Sequence, residues 1–256
     1  VVAWNALISG YAHQGFNDEV FQCFRQMKAK GVSPDAVTYA CILKTCSILG
    51  SLQIGEGIVE EIGKQGLLQK DVVLGNTLLD MYSKCGALEK AREVFEMLKS
   101  RDVVAWTTLI TAYRQHGLWE ESLYCFEKMQ CDGLRPNIVT LICILKVCGS
   151  ARALDKGEKI HLQIIRESLL EKDVLVGNAL VDMYAKCGAL EKAQALFEQL
   201  PKRNVVSWNA LITGYAQNGL GDEALKCFKQ MRNVGVCPDK VTYICILKAC
   251  GILGSL

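Results

Sequence analysis

The chain has 256 residues, half of them apolar and 22% charged, and its 29 basic and 27 acidic side chains leave a formal net charge of +2. That balance fits a folded, water-compatible chain and excludes nucleic-acid binding through bulk charge, while no apolar run approaches the roughly 18 residues of a membrane span. The thirteen cysteines are odd in number and include no C-x-x-C pair, so they read as free, compact apolar side chains in a reducing compartment.

The first stretch, VVAWNALI from Val1 to Ile8, returns as VVAWTTLI from Val103 to Ile110 and as VVSWNALI from Val205 to Ile212, at a spacing of 102 residues each time. A fixed period of this kind marks tandem duplication. Trp4, Leu7, Ile8 and Tyr11 keep the spacing of one helical face, and Gly15 stops the helix. A second helix follows, with Val20, Phe24 and Met27 on its face, and Pro34 ends it. The stopping glycine recurs as Gly50, Gly86, Gly117, Gly188, Gly219 and Gly254, with Arg152 in its place once.

These landmarks divide the chain into Val1 to Asp35, Ala36 to Asp71, Val72 to Asp102, Val103 to Asn137, Ile138 to Asp173, Val174 to Asn204, Val205 to Asp239, and a truncated segment from Lys240 to Leu256. The lengths alternate as 35, 36 and 31 residues. Position 20 of the segments is small or modest (Val20, Gly55, Ala91, Ser122, Gly157, Ala193, Ala224), and position 24 is mostly Phe. Eleven of the cysteines fall in four recurring columns, among them Cys23, Cys125 and Cys227. A lone amphipathic hairpin cannot bury its face, so the pattern predicts an all-α solenoid of stacked helix-turn-helix repeats, with fourteen paired helices and one unpaired first helix. Lacking an initiating Met and starting on a repeat boundary, the sequence reads as a piece of a longer chain whose targeting segment is out of view.

The lines WNALITGYAQNGLGDEALKCFKQM (Trp208 to Met231) and NALVDMYAKCGALEKAQALFEQLP (Asn178 to Pro201) resemble pentatricopeptide repeats of the plant organellar type. The 35, 36 and 31 alternation resembles the P, L and S motifs of the PLS subclass, over the whole chain. The resemblance implies a right-handed α-solenoid that reads single-stranded RNA at one base per repeat, in an organellar (mitochondrion or chloroplast) RNA editing or processing factor.

Position 5 lies off the apolar stripe of the first helix. The P-like and S-like segments carry Asn5, Asn76, Thr107, Asn178 and Asn209 there, and their last residues are Asp35, Asp102, Asn137, Asn204 and Asp239. Two short polar side chains at adjacent points can read one Watson–Crick edge; equally, the last residue can be an N-terminal cap and position 5 an inert surface residue. By resemblance, Asn with Asp implies uridine, Thr with Asn adenosine, and Asn with Asn a pyrimidine, preferably cytidine. The L-like segments hold Ala40, Ile142 and Ile244 at position 5 and are expected to be spacers or weak readers. The implied site is 5′-U-N-U-A-N-Y-U-3′. Position 2 is aliphatic, with Val2, Val73, Val104, Leu175 and Val206 among its members. The family uses it to sandwich the base, and a helix-entry staple is an equally economical reading.

Lys44, Lys146 and Lys248 at position 9 and Lys84 and Lys186 at position 13 lie on the face of position 5. They are candidate phosphate contacts, although Asp80 and Asp182 stand one turn before Lys84 and Lys186 and can pair with them instead. Nothing suggests an enzyme or a cofactor. The zinc deaminase domain that often ends PLS proteins needs H-x-E and P-C-x-x-C, both absent here, and would lie outside this stretch; His161 falls in the Phe column and reads as packing. Accessory editing proteins on the L repeats are expected partners, and a peptide-binding scaffold is the alternative function.

Overall fold

Seven first helices begin immediately after an Asp or Asn whose side chain accepts a backbone N–H of the first turn, at 2.7 to 3.0 Å in every case. This satisfies a donor that a helix start leaves orphaned and contributes about 1 kcal/mol per cap. The computed structural model describes residues 1–68 and 71–254, which form two compact units, Val1–Arg135 and Pro136–Leu256. Gln69 and Lys70, in the second predicted segment, and the last two residues of the eighth lie outside that description.

In the first unit the first helices are α1 (Val2–Gln14), α3 (Ala36–Leu49), α5 (Val72–Lys84) and α7 (Val103–Gln115). The second helices are α2 (Asn17–Ala29), α4 (Leu52–Lys64), α6 (Leu88–Met97) and α8 (Trp119–Cys131). First helices pack on one another in order, and α2, α4 and α6 each also touch the next first helix. The second unit repeats the plan. Its first helices are α9 (Ile138–Ser150), α12 (Val174–Lys186), α14 (Val205–Gln217) and α16 (Lys240–Leu253); its second helices are α10 (Leu154–Arg166), α13 (Leu190–Gln199) and α15 (Gly221–Asn233). Each unit is thus a stretch of α-solenoid. Sixteen helices stand among the described residues rather than the fifteen expected, because a single turn, α11 (Leu169–Lys172), precedes α12. Leu170 on that turn lies over Gly177 of α12.

The small residues of position 20 are all buried. A Cβ on Gly55 would stand 2.8 Å from Met81, and one on Gly157 would stand 2.5 Å from Met183, so glycine there makes room for methionine from the next first helix. The Phe column meets the aromatic at position 4 of the following segment, as in Phe24 with Tyr39, Phe95 with Trp106 and Phe197 with Trp208, all edge-on. Helices α12 and α14 approach closely, for a Cβ on Gly214 would stand 2.4 Å from the Cβ of Ala185.

Each hairpin turn closes by a 6→1 backbone bond, for instance Phe16 N to Tyr11 O at 3.0 Å, around a residue at positive φ. Arg152 adopts that conformation too, at φ 52°, and Ser168 at φ 53° occupies the matching place after α10. The closing bond forms at Arg152 as elsewhere, from Ala153 N to Cys148 O at 2.8 Å. Side chains other than glycine pay roughly 1 kcal/mol there, so Arg152→Gly is expected to raise the unfolding free energy by about that amount in urea titration.

Candidate nucleic-acid interface

In four segments, two in each unit, the capping residue also meets the position-5 side chain: Asn5 with Asp35, Asn76 with Asp102, Asn178 with Asn204 and Asn209 with Asp239. Asp35 caps α3 through Oδ1, which accepts from Thr38 N at 2.9 Å, and the Asn5 amide donates to both carboxylate oxygens at 2.9 and 3.1 Å. A carboxylate only accepts, so the amide nitrogen of Asn5 must face Asp35 and its oxygen must face away. That oxygen accepts from the hydroxyl of Thr38 at 2.5 Å. A similar set recurs at Asn209, Asp239 and Thr242: the Asn209 amide donates to Asp239 Oδ1 at 2.9 Å, and its oxygen accepts from the Thr242 hydroxyl at 2.6 Å.

Burial works to raise the Asp35 carboxyl, but hydrogen bonds from the Thr38 backbone, the Asn5 amide and the Thr38 hydroxyl outweigh it and hold the pKa below the usual 3.8. The Thr242 backbone N–H and then the Asn209 amide hold Asp239 below 3.8 as well. Both are therefore carboxylates at neutral pH.

The 31-residue segments build a looser pair. Asn76 donates to both oxygens of Asp102 at 3.2 Å, and Asn178 donates to Asn204 Oδ1 at 3.4 Å. In both the asparagine oxygen is buried without a hydrogen-bond partner. Asn204 Oδ1 is taken by Val206 N and Ser207 N at 3.0 and 3.1 Å, which leaves its nitrogen on the other side. Thr107 donates to Val103 O at 2.6 Å within the first unit, and Asn137 caps α9 within the second.

Beside these pairs the position-2 side chains stand in water. Val2 is 85% exposed and Val73 70%, and Val104, Leu175 and Val206 are also exposed. Large aliphatic groups left out at every repeat give each unit a row of apolar contacts flanking the polar pairs. In the second unit Leu175, Val206 and Val241 line an open cleft of about 440 Å³ together with Asn178, Asn209, Asp239 and Lys146. In the first unit a cleft of about 670 Å³ lies over α3, lined by Val37, Ala40, Lys44, Asp71 and Val73.

The lysines divide into two groups. Lys84 pairs with Asp80 at 2.9 Å and Lys186 with Asp182 at 2.7 Å, which offsets their charge locally. Lys44, Lys146 and Lys248 are exposed and form no ion pair among the described residues. His161 hydrogen-bonds Tyr184 Oη through Nδ1 at 2.8 Å, and burial lowers its pKa, so it is a neutral packing residue. None of the cysteines forms a disulfide, and burial pushes Cys125 and Cys148 up to about 12, which keeps them as thiols. The residues missed in the sequence are Thr38 and Thr242; the signal was the D-x-x-T spacing of a capping box.

A family model described as "PPR repeat family" matches residues 1–47, 101–150 and 203–251, and one described as "PPR repeat" matches 76–103 and 178–205. The mitochondrial pentatricopeptide repeat-containing protein At3g09040 of Arabidopsis thaliana is 39% identical over 249 residues, covering 97% of this chain and 24% of that protein. The chloroplastic At3g63370 of the same plant is 35% identical over 257 residues, covering all of this chain and 26% of that protein. The chain thus spans about a quarter of the length of these relatives, whose names place them in organelles. Among solved structures, PPR10 in complex with an 18-nt psaJ RNA element is similar at a TM-score of 0.86 and 25% identity, covering 99% of this chain and 38% of that one. The chain belongs to the pentatricopeptide repeat family.

Proposed function

We propose that the chain is the RNA-reading part of an organellar editing or processing factor, and that its P, L and S repeats follow the eight segments laid out above. The observation that carries this is the paired geometry: one capping group per repeat holds one atom toward the helix and leaves the other for a base. In Asp35 and Asp239 the cap takes Oδ1; Oδ2, which in Asp35 also accepts from the Asn5 amide at 3.1 Å, has a second lone pair to accept the N3–H of uracil, while the other asparagine N–H meets a uracil carbonyl. Cytosine carries an acceptor at N3 and is rejected. In Asn204 the cap again takes the oxygen, and the remaining N–H suits the cytosine acceptor. One chemical group therefore serves as cap and as reader.

Val2, Val73, Val104, Leu175 and Val206 stack against the bases, and Ala40, Ile142 and Ile244 leave the L repeats without edge discrimination. By register, the preferred site is U-N-U-A-N-Y-U, 5′ end at the first repeat. Lys44, Lys146 and Lys248 contact phosphates; replacing one is expected to reduce the salt slope of binding by about one. Catalysis belongs to a recruited enzyme or to a deaminase domain elsewhere in the full protein, with accessory proteins on the L repeats.

The test is a binding panel of this heptamer, a scrambled heptamer, double-stranded DNA and a random peptide pool at moderate salt. Preference for the specified heptamer supports base reading. Equal affinity for both heptamers removes it, and binding of peptides alone makes the chain a protein scaffold.

A further inference from the structure

We infer that Thr38 and Thr242, which belong to the repeats after the ones they serve, are positioning residues that set how stringently the first and seventh bases are read. Both are fully buried. Each hydroxyl reaches the oxygen of the asparagine at position 5 of the preceding repeat, at 2.5 Å for Asn5 and 2.6 Å for Asn209, while lying 2.9 and 3.0 Å from the capping oxygen of Asp35 and Asp239. The amide is thereby held at both ends: its nitrogen by the carboxylate, its oxygen by the threonine. A half-turn of the amide would set oxygen against carboxylate and nitrogen against the hydroxyl, and would present an acceptor where uracil needs a donor.

The third and sixth repeats lack this second clamp. Ala105 stands at the corresponding place after Asn76, and after Asn178 the hydroxyl of Ser207 turns to Asn204 at 3.2 Å. In both, the asparagine oxygen is buried and unpartnered, so only one end of the amide resists rotation. The first and seventh repeats are accordingly the stringent readers, and the third and sixth the tolerant ones.

This inference rests on the base-reading proposed above, and the experiment separates the two. The 256-residue chain is titrated with U-N-U-A-N-Y-U and with versions carrying cytidine at the first or the seventh base, for the parent, Thr38→Val, Thr242→Val and Thr38→Ser. Losing one hydrogen bond on the amide is expected to cut the uridine-over-cytidine ratio about fivefold, at the first base only in Thr38→Val and at the seventh only in Thr242→Val. Thr38→Ser, which keeps the hydroxyl, is expected to restore most of the ratio. Equal ratios in parent and Val variants, with unchanged circular dichroism, overturn the positioning role and leave base reading standing. A uniform loss of affinity at both bases also overturns it, since that is what general loosening of the cap would do. A parent that does not distinguish uridine from cytidine at either base overturns both.

Discussion

Asn204→Asp is expected to turn the preference at the sixth base from cytidine to uridine, a swing of about 1 to 3 kcal/mol, the range of a base-edge contact. Asn204 holds α14 through its oxygen, which accepts from Val206 and Ser207. Aspartate offers the same oxygen to the helix and is as good a cap. What changes is the other atom, from a donor to an acceptor. Affinities for heptamers with cytidine or uridine at that base, measured for both proteins beside thermal melts, decide the matter. An unchanged ratio with intact helicity would make this column a cap and nothing more.

Gly214→Ala is expected to destabilise the chain by about 1 to 3 kcal/mol, although helix propensity alone predicts a gain of about 1 kcal/mol. The two effects oppose each other, and distance decides: the new Cβ would meet the Cβ of Ala185 at 2.4 Å and its Cα at 3.3 Å, atoms with no rotamer to escape through. Helices α12 and α14 would have to part. Gly10 occupies the same register in α1 with nothing within 4 Å, so Gly10→Ala is the control and should keep the propensity gain. Ala185→Gly in the Gly214→Ala background should recover much of the loss. Urea unfolding of the four proteins tests this; a stabilised Gly214→Ala would show that the two helices separate freely.

Helices, hairpins and core columns were legible because they obey short-range rules: the spacing of Trp4, Leu7, Ile8 and Tyr11 and the recurring glycine each depend on a few neighbours. The sequence also placed Asn5 and Asp35 on candidate lists, but as competing readings of cap or reader. The contact at 2.9 Å joins them, and it spans thirty residues of chain, so no local pattern could supply it. Thr38 escaped notice for the same reason, since its partner belongs to another segment. Lys84 pairs with Asp80, one of the two partners its spacing allows; the contact rests on rotamers that spacing does not specify. Arg152 reads as a break in a column, yet its backbone takes the column's positive φ, since the 6→1 bond that closes the turn forms there too.

The seven capped first helices have a consequence for how such a chain changes over generations. Aspartate and asparagine hold a helix start about equally well, so exchanging one for the other at the end of a repeat is close to invisible to folding. A lineage can therefore wander between the two at no cost in folded population, even where proteins sit near their stability threshold. On the base reading proposed above, mutations that alter what is recognised are thus separated from those that alter whether the chain folds. On that proposal, drift in a bound RNA sequence can be followed by a matching single substitution in the protein, without a compensating change in the helix starts.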